Sequence, residues 1–304
     1  MDILNAAMDI LNVAFPVAGI KINVLIPPLV SFVISFFCSM GGISGAFLLL
    51  PFQVSVLGFT NISVSSTNFL YNIIGIPGGV WRYIKEDRML WPLTCIVAVG
   101  TIPGVLLGYY IRVRFLLDAR NFKLFVGLVL MYVGIKLVKS AAAAAATAQK
   151  SAVENLKIEN VRFGLARTSF DFRGDGVSFN NLPMFWFALV VGVIGGAYGI
   201  GGGAIIAPFC VTVFRLPVYT VAGAALMGTF IASFFGVIFY SLVPLGGVTA
   251  PPDMMLGLLF GLGGLAGMYL GAKSQRYIPE RVIKIMLGVI IIGVSAKYIY
   301  QFVK

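Results

Sequence analysis

The chain has 304 residues, 59% hydrophobic and only 11% charged, with a mean hydropathy of +0.98. Soluble domains average about 25% charged residues, so this composition excludes one. The net charge of +11 comes from Lys and Arg dispersed among short segments, which argues against a nucleic-acid surface and reads as loop charge that orients a membrane protein.

Charges are absent from Ile22 to Trp81, Met89 to Ile111, Gly176 to Phe214, Leu216 to Pro252 and Met254 to Ala272. A spanning helix needs about 20 apolar residues. The runs are too continuous for the alternation of a membrane barrel. The expected fold is therefore an all-α polytopic membrane protein.

Taken in order, Met1–Asn12 contains Met1-Asp2-Ile3-Leu4-Asn5 repeated as Met8-Asp9-Ile10-Leu11-Asn12. That spacing predicts a short interfacial helix ending before Pro16, within an N-terminal segment 1–23. The acidic start argues against a signal peptide. Span one begins near Val24 and continues past Gly41-Gly42-Ile43-Ser44-Gly45 to about Leu57. About 35 helical residues at 1.5 Å each exceed a 30 Å core by more than half, so this element is broken, strongly tilted or re-entrant.

Thr60 to Asn72 is rich in hydroxyls and amides inside a charge-free run. Asn68 and Asn72 are four apart and stack on one helical face. Polar side chains at this depth either join helices or line a pathway. Span two ends at the aromatic and basic Trp81–Arg88, an interface signal. Span three, about Leu90–Ile111, carries Gly100, Gly104 and Gly108 on a packing face. A basic loop, Arg112–Lys123, follows. Span four, Leu124–Val138, is prolonged by the alanines at 141–146, completing a first transmembrane repeat at 24–140.

Within 141–182, Phe170, Phe172, Val177 and Phe179 alternate with polar residues around Arg173-Gly174-Asp175-Gly176, which predicts a small extramembrane β-hairpin. The plan then recurs as a second repeat, 183–304. Spans five to eight are Pro183–Phe214, Pro217–Leu242, Met254–Ala272 and Val282–Tyr300, and the third carries Gly264, Gly267 and Gly271. Gly42 and Gly45 match Gly199 and Gly202 at an offset of 157, and Pro51-Phe52 matches Pro208-Phe209. Lys123-Leu124-Phe125-Val126-Gly127 matches Lys284-Ile285-Met286-Leu287-Gly288 at 161. The reading is two homologous repeats of about four transmembrane elements, the first of each broken at glycine. Four crossings per half would make the halves parallel and divide the 22 Lys and Arg residues 13 to 9; three would invert them and divide the residues 15 to 7. The basic loops after spans three and seven tip the expectation slightly towards parallel halves.

Matched interruptions in two halves point to a transporter's binding site. Close packing by small residues is the competing reading. Every acidic residue lies outside the expected spans, and histidine is absent. Cation and proton carriers usually keep a carboxylate in the membrane. Helix ends opened by glycine offer N–H donors that suit anions. The expected substrate-binding residues are Gly42, Ser44, Gly45, Ser66, Thr67, Asn68, Asn72, Gly199, Gly201, Gly202 and Thr229, with no cofactor and no metal. Cys38, Cys95 and Cys210 all fall in spans, with no disulfide framework; Cys38 and Cys210 lie close to the two breaks and read as small buried hydrophobes rather than thiols in contact with substrate.

The glycine break followed by Pro, the Ser65-Ser66-Thr67-Asn68 segment and the Gly199-Ile200-Gly201-Gly202-Gly203 copy resemble the sulfite exporter family (TauE/SafE), also called the toluene-sulfonate uptake permease family. The resemblance runs from about Val24 to Tyr300. It implies a multi-pass secondary transporter of the cytoplasmic membrane for sulfite, sulfonates or related organosulfur anions, with membrane lipid and a coupling ion as further partners. Ser44-Gly45-Ala46 departs from the fuller glycine run. A channel or carrier for other small anions or neutral solutes is the alternative. An enzyme is not expected, since no nucleophile–base pair or metal set stands at a known spacing.

Overall fold

The structure is a computed structural model that describes residues 11–40, 43–146, 158–274 and 280–303. A short hairpin, β1 (Asn12–Phe15) and β2 (Ile20–Asn23), leads into α1 (Ile26–Met40), α2 (Ala46–Ser55), α3 (Ser63–Lys85), α4 (Trp91–Phe115) and α5 (Ala119–Ala146). Strands β3 (Ile158–Phe163), β4 (Arg167–Phe172) and β5 (Asp175–Asn180) follow. The second half is α6 (Asn181–Tyr198), α7 (Gly203–Thr212), α8 (Val218–Leu242), α9 (Met254–Ser274) and α10 (Glu280–Val303). Each half thus runs through a short broken pair and then three long helices.

Among the described residues, six helices are long and apolar enough to cross a membrane: those within α4, α5, α6, α8, α9 and α10. α3 has 23 residues but opens with Ser63–Asn72, every one of them buried. Its polarity is spent inside the protein.

Side-chain meeting points fix the helix directions. Asn72 meets Ser233, Leu226 lies against Gly79 and Tyr83 against Gly223, so α3 and α8 are antiparallel. Gly127 meets Tyr298 and Gly134 meets Ile291, so α5 and α10 are antiparallel as well. Gly100, Gly104 and Gly108 of α4 meet Ala188, Gly192 and Gly196 of α6 in the same order, so this pair is parallel. Gly263, Gly267 and Gly271 of α9 meet Ser31, Ser35 and Ser39 of α1, also in parallel. A Cβ on most of these glycines would strike the neighbouring backbone, so small residues are what allow the helices to approach.

Within the second broken pair the chain doubles back. Phe187 stacks on Phe209 at 4.0 Å, and Cys210 Sγ lies 3.8 Å from Met184 Sδ. α2 descends against α3 in the same way, with Ser44 beside Asn72 and Ala46 beside Asn68. Both broken elements are therefore helical hairpins, three long helices complete each half, and the halves are inverted. The expectation of parallel halves is corrected. It leaned on a basic loop beginning at Arg112, but α4 extends to Phe115 and Arg112 is fully buried in it. The inverted arrangement is the one that divides the Lys and Arg residues 15 to 7.

Two other expectations change. Asn12–Phe15 is a strand paired with Ile20–Asn23, so the interfacial helix is not continued there; residues 1–10 of that assignment lie outside the described residues. The insert is a three-stranded antiparallel sheet, one strand more than a hairpin. Its expected turn is present, with Arg173 and Gly174 at φ 55° and 84°. β3 was illegible because it is almost wholly exposed and shows no alternation.

Candidate functional site

α3 carries Asn68 and Asn72 one turn apart, both without solvent exposure. Asn68 Nδ2 donates to the Ala46 carbonyl at 3.0 Å and to the Gly199 carbonyl at 2.9 Å. Asn72 Nδ2 donates to Ser233 Oγ at 3.1 Å and, at a longer 3.4 Å, to the Ile200 carbonyl. Ser44 Oγ donates to Asn72 Oδ1 at 2.5 Å. Each carboxamide thus ties the first interruption to the second. Asn72 and Ser233 are 161 residues apart, the same offset that relates the closing pieces of the halves, so matched positions touch where the halves meet.

The two tips are built differently. α6 ends at Gly199 with φ 91°, and α7 opens after Gly202 with φ 86°, left-handed conformations that glycine adopts without steric cost. Gly201 lies against Thr229 and Ser233. Thr229 Oγ1 donates to the Ala225 carbonyl at 2.8 Å, which turns the hydroxyl along its own helix. At the first tip Gly45 is right-handed, with φ −59°, and Ser44 Oγ accepts from Ala46 N at 3.2 Å. Gly45 leaves room for a buried contact, Ser35 Oγ to Tyr71 Oη at 2.6 Å.

Of the expected site residues, Ser44, Gly45, Asn68, Asn72, Gly199, Gly201, Gly202 and Thr229 gather around these tips; Gly42 lies outside the described residues. Ser66 and Thr67 face elsewhere. Ser66 Oγ donates to the Ala250 carbonyl at 2.6 Å, and Thr67 Oγ1 accepts from Asp253 N at 2.9 Å. Asp253 in turn accepts from Leu256 N at 3.0 Å and Ala18 N at 3.1 Å. Its buried carboxylate caps α9 and pins the N-terminal hairpin.

Three further residues join the site. Ser233 was findable as the match to Asn72 at 161. Gln53 Nε2 reaches Asn68 Oδ1 at 3.4 Å, and its Oε1 is buried without a partner. Tyr198 Oη donates to the Phe47 carbonyl at 3.0 Å. That carbonyl is free because Pro51, four residues on, has no N–H to give it. Pro51 was therefore the available signal for a cross-tip bond.

The polarity here comes from amides, hydroxyls and peptide groups. Among the described residues no group of three His, Cys, Asp or Glu is placed to hold a metal ion. Neutral carboxamides of α3 meet carbonyl and hydroxyl groups of both chain breaks there.

The family described as Sulfite exporter TauE/SafE matches residues 28–298. The chain is also 22% identical over 221 residues, 72% of its length and 74% of the relative's, to the Probable membrane transporter protein YunE of Bacillus subtilis (strain 168). No solved structure matches. With spans, interruptions and nearly its whole length accounted for, the chain belongs to the sulfite exporter TauE/SafE family of multi-pass membrane transporters.

Proposed function

We propose that this transporter moves small sulfur-containing oxyanions, sulfite and sulfonates foremost, through a central site at Asn68 and Asn72. The observation that carries the reading is the bridging of both hairpin tips by two uncharged carboxamides. Oxyanions present acceptors all round. They compete directly for the Nδ2–H groups that now go to Ala46, Gly199 and Ile200. Taking those donors releases the carbonyls and loosens one tip from the other. Because the hairpins enter from opposite faces, loosening them in turn gives access from each side, the rocking logic of inverted repeats. The absence of carboxylates from the interior of the described spanning helices supports an anion over a metal cation. The face bearing 15 of the 22 Lys and Arg residues is cytoplasmic.

Radiolabelled sulfite, taurine and sulfoacetate flux into proteoliposomes tests the proposal. Asn72→Ala is expected to cut sulfite flux at least about tenfold, the equivalent of 1.4 kcal/mol, without loss of folded protein. Unchanged flux in both Asn68→Ala and Asn72→Ala removes the site assignment. Counterflow separates a carrier, which shows trans-stimulation, from a channel, which does not.

A further inference from the structure

Arg112 stands first among the largest fully buried side chains, in the last turn of α4. Its Nε, Nη1 and Nη2 are all buried, and none has a hydrogen-bond partner. The guanidinium lies over the Phe122 ring, 3.7 Å from the centroid. An aromatic face offsets charge but accepts none of the five N–H bonds that arginine offers. The ion pairs among the described residues, Arg82–Glu86 and Arg88–Glu86, lie at the opposite face of the bundle.

A buried cation left unpaired is strongly unfavourable, and an arginine within a spanning helix marks a pathway or the seat of a counter-ion. The neighbourhood agrees. Gly108, one turn before Arg112, lies against Gly196, three residues short of the second tip. Tyr240 Oη fixes the Gly196 carbonyl at 2.8 Å, and the Tyr109 and Tyr240 rings pack 4.2 Å apart. Arg112 therefore sits at the level just beyond the second tip, one helical turn from the surface that α1 enters.

We infer that Arg112 is a second anion site, separate from the Asn68–Asn72 pair, that holds an oxyanion group through its fork of donors. Two sources present that chemistry at this depth: the phosphate of an anionic lipid and a free oxyanion from solution. The site does not require the central site to exist.

Wild type, Arg112→Gln, Arg112→Met, Arg112→Lys and the exposed neighbour Arg114→Gln are compared as purified protein in neutral detergent. One arm titrates sodium sulfate at constant ionic strength and reads the melting temperature. The other counts retained anionic phospholipid by native mass spectrometry. A saturable sulfate shift in wild type, weakened about tenfold or more in the Gln and Met variants and partly kept by Lys, supports a free oxyanion. One retained phospholipid, lost in Gln and Met and kept in Lys, supports a headgroup. Either result must survive Arg114→Gln and Asn72→Ala, which separates this site from surface charge and from the central site. Wild type showing neither response overturns the inference, and this needs no variant to fold. Gln and Met variants that keep the wild-type response overturn it too.

Discussion

The two helical hairpins occupy matching places, yet the protein holds them by different chemistry. The α1–α2 tip is right-handed at Gly45 and, beside the Ala46 carbonyl that it gives to Asn68, offers a side chain, the Ser44 hydroxyl, to Asn72. The α6–α7 tip is left-handed at Gly199, Gly201 and Gly202 and offers peptide carbonyls to Asn68 and Asn72. Both carboxamides come from the first half, while the matched positions on α8 carry the hydroxyls of Thr229 and Ser233. Inverted architecture thus does not make equivalent ends: one tip is set by what its side chain can bond, the other by what its backbone can adopt.

The sharpest test of the pairing is all-or-none. In a background with Cys95→Ala, Lys21→Cys beside α1 and Lys85→Cys at the end of α3 are expected to react with an impermeant thiol reagent from opposite faces of sealed vesicles, because the α1–α2 hairpin returns to the face it enters and α3 then crosses. Labelling of both from one face would restore parallel halves. Next in size is the contrast between tip glycines. Gly199→Ala forces a side chain onto φ 91° and against the Ser65 backbone. We expect a loss of about 3 kcal/mol, seen as lowered melting temperature and folded yield. Gly45→Ala meets the hydroxyl ends of Tyr71 and Ser35, which can shift, with the Ser35 Cα farther off at 3.2 Å, so about 1–2 kcal/mol is expected. Equal losses would make the tips alike.

Smaller effects follow from single hydrogen bonds. Ser44→Ala and Ser233→Ala each remove one partner of Asn72 and are expected to cost about 0.5–1.5 kcal/mol, with several-fold lower sulfite flux. Ser66→Ala and Thr67→Ala are expected to leave flux within twofold of wild type while lowering the melting temperature slightly, because they fasten the 250–253 segment. Flux loss there would move the site along α3.

Charge-free runs made nearly every helix legible, and glycine clusters marked both interruptions. What they did not show was direction. Whether the chain carries on or doubles back after Gly45 depends on contacts with α3, which composition does not record. The Ser63–Asn72 stretch shows why site residues were over-assigned. All ten are buried, so no polar or apolar periodicity distinguishes the face of Asn68 and Asn72 from that of Ser66 and Thr67. Arg112 was misplaced for a related reason: an arginine at the end of an apolar run is normally a solvated anchor, and only packing over Phe122 reveals otherwise.

The bond between Asn72 and Ser233 has a consequence for how such a molecule diversifies. If each half were a separate polypeptide in a twofold dimer, a side chain on the axis would face its own copy and would have to be its own complement. Joining the halves into one gene lifts that restriction. The two positions are then free to specialise as donor and acceptor, and a change to either alone retunes the centre without being mirrored across it.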